Sequence, residues 1–335
     1  MVSTQKSVLC VGLIVRDILL RPVVADVMQL DGCIVEKPLA GMGGDALNVS
    51  VTLAKLGASV GMVGFVGQDS DGDAIIQGLR QVGVDTSGVH RHPSVGTAVS
   101  HILGEGNGER HFLVYGDMHA VLTFEDVPKD LIAKSEYIHF GSAMRMEAMD
   151  GGGIAKLFRY AHTLGKTTLL DACAISGNFD NAYWMDLLSG ALHETDIFVP
   201  SHVEACLLTG RDKLEDIRDE LSRFGFRYLI IKLGSQGCYL TDFDTCQIIP
   251  TFDEFERVDT TGAGDSFVGG LIRGLLEGWS VHDAALFANA VASFNITKRG
   301  ATAGVPDFAT VHRYVLEHAD DPAAFALTEG KGVGI

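Results

Sequence analysis

The chain has 335 residues, of which 47% are hydrophobic and 21% charged, with a formal net charge of −17. This composition argues for a large packed core and against disorder. The acidic balance and the absence of any Lys- or Arg-rich run argue against nucleic acid as a partner.

The N-terminus carries no signal-peptide pattern, because Arg16 and Asp17 interrupt the apolar run that begins at Val8. No stretch reaches the about 18 apolar residues that a membrane helix needs. Six cysteines form no C-x-x-C pair, and the twelve histidines do not cluster with them. A reduced, cytoplasmic location without membrane contact or structural zinc is therefore expected.

In chain order, Val8–Val15 reads as a buried strand, with Asp17 just past its end. Ligands collect beyond the carboxyl ends of strands in open α/β sheets. Asp17 is thus either a substrate contact or a plain turn carboxylate. Residues 18–40 lack helical period and read as extended structure off the main sheet. Gly41-Met42-Gly43-Gly44-Asp45-Ala46-Leu47-Asn48 then opens a helix that Gly57 stops. No clear strand precedes this turn, so it is a poor dinucleotide fingerprint. Gly43, Gly44 and Asn48 better suit close backbone approach and hydrogen bonding to a polyhydroxylated ligand.

Val60–Val66 is expected as a strand and Asp73–Val82 as a helix. Thr97–Leu103 and Arg110–Tyr115 read as a hairpin around residues 104–108. An α/β rhythm follows: strand Tyr137–Phe140, helix Met149–Leu164, strand Thr167–Asp171, helix Tyr183–His193, then strands Asp196–Val199 and Tyr228–Leu233 with a helix between them. This rhythm predicts an α/β fold with a doubly wound, mostly parallel sheet flanked by helices, plus a small β lid. Residues 1–335 show no internal repeat or linker and are expected as one domain, with lid segments at about 14–40 and 94–116. Gly165-Lys166-Thr167 ends a helix and precedes a strand, the reverse of P-loop order. Ser280 and Asp283 suggest a helix cap, and residues around 330–332 a loose tail.

The stretch with the clearest chemistry is Asp259-Thr260-Thr261-Gly262-Ala263-Gly264-Asp265. Phe267, Val268, Leu271, Ile272, Leu275 and Leu276 follow on one helical face, and Gly278 ends the helix. The small residues therefore sit at a helix N-terminus, where unpaired amides and the dipole attract anions such as a phosphoryl group. Asp265 is either an ordinary first-turn acid or the base that takes a proton from an attacking hydroxyl.

These residues resemble the ribokinase-like (PfkB) carbohydrate kinases along nearly the whole chain. The motifs are Gly43–Asn48 with Val63–Asp69, and Asp259–Phe267; Lys232–Gly237 and Thr297–Ala301 match nucleotide-side segments in the right order. The resemblance implies transfer of the ATP γ-phosphoryl group to a sugar hydroxyl, with Mg²⁺, and a lid that often serves as a homodimer interface. It implies Asp265 as catalytic base and Gly262, Ala263 and Gly264 as the anion hole. It also implies Asp17, Gly43, Gly44 and Asn48 as sugar contacts, and Lys232, Gly234, Gly237 and Asn289 on the nucleotide side. Asp259 and Thr261 match positions that line a monovalent-cation site, with K⁺ as the ion.

Two departures stand out. Glu204 is kept from the family's Asn-x-x-Glu motif near Mg²⁺, but Ser201 replaces the Asn. Val15 stands where ribokinases proper usually carry Asn, which points away from ribose itself; the acceptor expected is a small ketose-like or related sugar. A nucleoside kinase and a non-catalytic sugar-binding protein are the competing readings. Arg110, His111, Arg145 and Asp171 are further candidates to face the sugar, with Arg145 suited to an acidic group.

Overall fold

A computed structural model describes residues 7–105, 110–174 and 180–327. The loop expected within 104–108 lies mostly outside the described residues, and the tail around 330–332 lies wholly outside them.

The strands are β1 Ser7–Val11, β2 Val15–Val23, β3 Leu39–Gly43, β4 Ser59–Gly67, β5 Asp85–His92, β6 Ala98–Glu105, β7 Arg110–Tyr115, β8 Tyr137–Ala143, β9 Thr167–Ala172, β10 Ile197–Phe198, β11 Tyr228–Lys232, β12 Cys238–Thr241 and β13 Cys246–Ile249. The helices are α1 Asp45–Lys55, α2 Ser70–Gln81, α3 Lys129–Lys134, α4 Ile154–Thr163, α5 Asn181–His193, α6 His202–Thr209, α7 Leu214–Leu221, α8 Ala263–Glu277, α9 Val281–Asn295 and α10 Phe308–His318.

Nine strands form one sheet in the order β13-β12-β11-β10-β9-β8-β1-β4-β5. The run from β11 to β5 is parallel, and β12 and β13 add antiparallel pairs at one edge. Helices cover both faces, as a parallel sheet requires. One core packs α4 and α5 on Leu9, Ile138, Phe140 and Leu170. The other packs α1 and α8 on Val8, Cys10, Leu169 and Ile230. From β1 the chain builds toward β4 and β5, then returns to build β8 to β11 on the other side. The crevice beyond the carboxyl ends of β1 and β8 is therefore the topological switch point. The first turn of α1 sits over it, so close that a Cβ on Gly141 would meet the Ala46 amide nitrogen at 2.9 Å.

A second, smaller sheet of four strands, β3-β2-β6-β7, fits a lid, with its first two strands ending at Gly43, beyond the residue 40 expected from the sequence. Four local expectations need correction. Val8–Val15 is not one strand. It splits into β1 of the main sheet and the start of β2 in the lid. Both pieces are buried, so one unbroken apolar run covers the join, which periodicity cannot reveal.

The helix expected at Met149–Leu164 begins as a π turn over Met149–Gly153, because Gly151 and Gly152 depart from helical dihedrals. α2 starts earlier than expected, at Ser70, with Asp69 accepting the Gly72 amide at 2.8 Å. Its polar first turn is invisible to an apolar count. β5, β12 and β13 were not anticipated: β5 and β13 are sheet edges with much exposed surface.

Candidate active site

Two cavities meet at the N-terminus of α8. The first, 770 Å³, lies between the lid and the switch point and is lined by Asp17, Gly44, Asp45, Asn48, Arg145 and Asp265, among others. The second, 480 Å³, lies between α8, α9 and the turn after β11. Its walls include Lys232, Gly234, Gly237 and Asn289, with Phe252 and Phe255 on the apolar side. Thr260, Ala263 and Gly264 line both. The glycine turn is thus the partition between the cavities. A further cleft of 580 Å³ beside α5 holds none of the residues singled out from the sequence.

Gly262 caps α8 with φ 68°, in the left-handed region. A Cβ there would come within 2.0 Å of the Ala301 carbonyl oxygen, so only glycine fits. The first-turn amides of a helix have no carbonyl partner one turn back. Ala263 N–H is nevertheless not bare, since it reaches Thr260 O at 3.3 Å. The three amides expected from the sequence are therefore unequal.

Asp265, in the first turn of α8, receives a hydrogen bond from Asn48 Nδ2 at 2.8 Å. Burial lifts its carboxyl well above the usual carboxylate range. Asp45 and Asp171 add to the lift, while the Asn48 bond and Lys232 oppose it. The carboxyl is thereby made more basic than a solvated aspartate.

Asp17 reaches this cavity from β2, paired between Gly41 and Ser100, and not from the end of a main-sheet strand as the sequence suggested. Burial and then Asp45 push it up to about 7, against Arg16. A Cβ on Gly43 would fall 2.1 Å from Asp17 Oδ2, so this glycine makes room for the carboxylate. Gly44 caps α1, and Asn48 is 5% exposed one turn further on.

On the other side of the partition, Lys232 Nζ donates to both carboxylate oxygens of Asp171, at 2.8 and 2.7 Å. Burial works against this ammonium. Asp171, Glu204 and Asp265 outweigh burial, and Lys232 is held above its ordinary pKa. Asp171 is 2% exposed and does not line the first cavity, and both its oxygens are engaged by Lys232. Asn289 spends its amide on Ile249 O and Pro250 O, both at 3.1 Å, and so braces the wall of the second cavity.

Glu204 and Ser201 form a reciprocal cap of α6. Glu204 Oε2 accepts the Ser201 amide at 2.7 Å, and Ser201 Oγ accepts the Glu204 amide at 3.3 Å. Among the described residues no cluster of three or more His, Cys, Asp or Glu is arranged to hold a metal. Asp259 Oδ1 accepts Thr261 N–H at 2.9 Å and Thr261 Oγ1 at 2.6 Å, and Oδ2 accepts Gly300 N–H at 3.0 Å. Asn295 Nδ2 donates to Thr261 O and Ala301 O. Protein donors meet both carboxylate oxygens of Asp259, while Asn295 Oδ1 is buried there without a hydrogen-bond partner.

Of the remaining candidates, His111 lines the acceptor cavity and bonds Glu105 Oε1 at 2.9 Å. Arg145 lines it too. Arg110 lies in β7 opposite Gly104, and its side chain is outside the described residues. Sequence reasoning missed Asp45, Ser142 and Cys173. Asp45 lay inside the Gly43–Asn48 motif but reads as a first-turn acid, and the other two have no local signal.

Among the described residues no helix is long and apolar enough to cross a membrane. The pfkB family carbohydrate kinase profile matches residues 5–307. Fructokinase-1 of Zea mays is 32% identical over 295 residues, covering 82% of this chain and 88% of that protein. The 2-dehydro-3-deoxygluconokinase of Bacillus subtilis is 28% identical over 271 residues, covering 79% and 84%. The structure of a fructokinase with bound ATP from Xylella fastidiosa superposes with a TM-score of 0.80 at 22% identity, covering 94% of this chain and all of the other. The match over nearly the whole length, on a ribokinase-like fold, shows that the chain belongs to the pfkB family of carbohydrate kinases, phosphotransferases that act on an alcohol group.

Proposed function

We propose that this sugar kinase transfers the γ-phosphoryl group of ATP to a hydroxyl of a small ketose-like sugar, with Asp265 as the general base. The observation that carries the reading is the shared wall: Thr260, Ala263 and Gly264 line both the acceptor cavity and the cavity that Lys232, Gly234 and Gly237 enclose. A group held on this turn is in reach from both sides.

Phosphoryl transfer depends on positioning and charge stabilisation more than on covalent chemistry. The amides of 262–264 and the dipole of α8 would hold charge on the migrating group, with Gly264 N–H outside the bond that ties Ala263 to Thr260. Lys232 Nζ lies 3.5 Å from where a Gly264 Cβ would sit, so its ammonium is close to the same turn. Asp265 takes the proton of the attacking hydroxyl, and its raised basicity suits that task. Asp17 and Asn48 orient the sugar, while the lid sheet keeps water from the transfer.

Mg²⁺ supplies charge neutralisation at the phosphates when bound, and it is commonly held by one or two carboxylates together with phosphate and water. Glu204 fits that role, since Oε2 is spent on the cap while the residue stays within electrostatic reach of Lys232 and Asp171. A monovalent cation, when bound, would be held by the loop of Asp259 and Thr261, where Asn295 Oδ1 is a buried acceptor without a partner, and no step is routed through it. The lid's exposed Leu39, Phe112, Leu113 and Tyr115 support a homodimer through this sheet.

The test is product formation from Mg-ATP across neutral sugars, sugar acids and nucleosides, read by mass spectrometry. A phosphorylated ketose is expected. A phosphorylated nucleoside as the preferred product would overturn the sugar assignment.

A further inference from the structure

The relatives include both a fructokinase and a 2-dehydro-3-deoxygluconokinase, so membership alone does not choose between a neutral sugar and a sugar acid. The acceptor cavity does contain a choice. Asp45 opens α1 and lines it. Ser142 Oγ donates to Asp45 Oδ2 at 2.7 Å, and the Cys173 thiol hydrogen-bonds the same side chain. Neither partner is a cation, so these bonds bring no positive charge to Asp45.

Ser142 reaches Asp45 from the irregular carboxyl end of β8, where the strand passes into a turn. Ser142 and Met144 have φ of 78° and 74°, in the left-handed region that non-glycine residues rarely adopt. Such strain, of order 1–3 kcal/mol per residue, persists only where surrounding structure enforces it. Asp150, 1% exposed, does so by accepting the amides of Met144 at 3.0 Å and Met146 at 2.8 Å. Between those two residues stands Arg145, on the cavity wall. Among the described residues no ion pair or side-chain hydrogen bond engages its guanidinium.

A first-turn acid stabilised by the helix dipole explains why an Asp is tolerated at position 45. It does not explain a strained loop that binds that acid on one flank and presents an arginine on the other. The remaining ionisable groups on the cavity wall are Asp17, His111 and Asp265. Asp45 acts on both acids, since it is among the groups that raise Asp17 and Asp265.

We propose that Asp45 is the specificity-determining residue of the acceptor site, accepting hydroxyl hydrogens from a neutral polyol and repelling acceptors that carry a carboxylate, with Arg145 donating to hydroxyl oxygens beside it. This rests on the sugar-kinase reading above. Asp45 accepts and Arg145 donates, the two capacities that vicinal hydroxyls require, and both line this cavity. A carboxylate placed against Asp45 would meet a like charge, and like charges brought together are a common means of rejecting the wrong ligand.

The test compares fructose with 2-ketogluconate as acceptors for the full chain with Mg-ATP. The unmutated chain is expected to favour fructose. Asp45→Asn should raise the KM for fructose by about tenfold and shift the kcat/KM ratio toward 2-ketogluconate by about tenfold or more. It should also move the acid limb of the pH profile to lower pH, because one of the charges raising Asp265 is gone, and a merely structural role would leave that limb in place. Arg145→Gln, in a loop held by backbone bonds, provides a second arm and should raise the fructose KM with kcat within about threefold. Preference of the unmutated chain for 2-ketogluconate overturns the proposal. So does an Asp45→Asn chain whose KM, acceptor ratio and acid limb all match the parent. Phosphorylation of neither acceptor, nor of any other sugar in the panel, overturns the kinase assignment itself and is distinguishable from both.

Discussion

Asn48 and Asp265 stand 217 residues apart in the chain, yet Asn48 Nδ2 donates to Asp265 Oδ2 at 2.8 Å. The bond joins the first turns of α1 and α8, and so ties the acceptor side of the site to the phosphoryl side. It also opposes the lift that burial gives the Asp265 carboxyl. Asn48→Ala should therefore raise the pKa of the base further. Asp265 in its proposed role as base works deprotonated, so the acid limb of kcat/KM should move to higher pH, with a rise in the sugar KM. A pH series of initial rates checks this, and an unmoved acid limb would contradict it.

Lys232 and Asp171 form a buried ion pair with two close hydrogen bonds. Removing one partner strands the other charge. Lys232→Met should destabilise the fold by about 3–5 kcal/mol. The double change Lys232→Met with Asp171→Leu should recover most of that loss. Denaturant unfolding of the two variants measures the difference, and equal stability of single and double variants would refute it.

Asp17 lies at about 7 in the folded chain against about 3.9 when unfolded. Below about pH 4 both states carry the proton. Between about 4 and 7 the unfolded state loses it while the folded state keeps it, so this residue's contribution falls as pH rises and is gone above the folded value. Asp17→Asn removes the titration. Its melting temperature relative to the parent should become more favourable from pH 5 to pH 8, by about 2 °C or more. A difference constant across that range would contradict the burial argument. The same variant should lose sugar affinity, which separates the stability effect from the binding one.

The lid sheet ends in β3 and β7, whose outer edges have no strand partner among the described residues. Leu113 is 54% and Tyr115 68% exposed on β7. Open edges with apolar side chains favour pairing with another chain. Sedimentation equilibrium should show a dimer, and Leu113→Glu with Tyr115→Lys should yield a monomer. A parent chain that is monomeric at micromolar concentration would remove the lid from the assembly.

The glycine turn was legible because its task is local. Gly262 must hold φ 68° against the Ala301 carbonyl, and α8 announces itself by an apolar stripe. The α/β rhythm was legible for the same reason, since buried parallel strands and helices each leave a short-range pattern. What was hidden depends on distant neighbours. Asp171 pairs with Lys232 across 61 residues, a partner that no local pattern reveals. Asp17 sits in the lid because an apolar run continues through the join of β1 and β2. Asp45 looks like any first-turn acid until Ser142, 97 residues away, is seen to bind it. The Gly151 and Gly152 break in the helix expected from Met149 is likewise a matter of dihedrals that an apolar count does not register.

The account stands on Asp265 acting as the base at the turn that divides the two cavities. The most direct measurement is kcat for Asp265→Asn with saturating ATP and the preferred sugar. The account predicts a fall of about 10²–10⁴ with both substrates still bound. A rate within about threefold of the parent would show that this carboxylate does not take the hydroxyl proton.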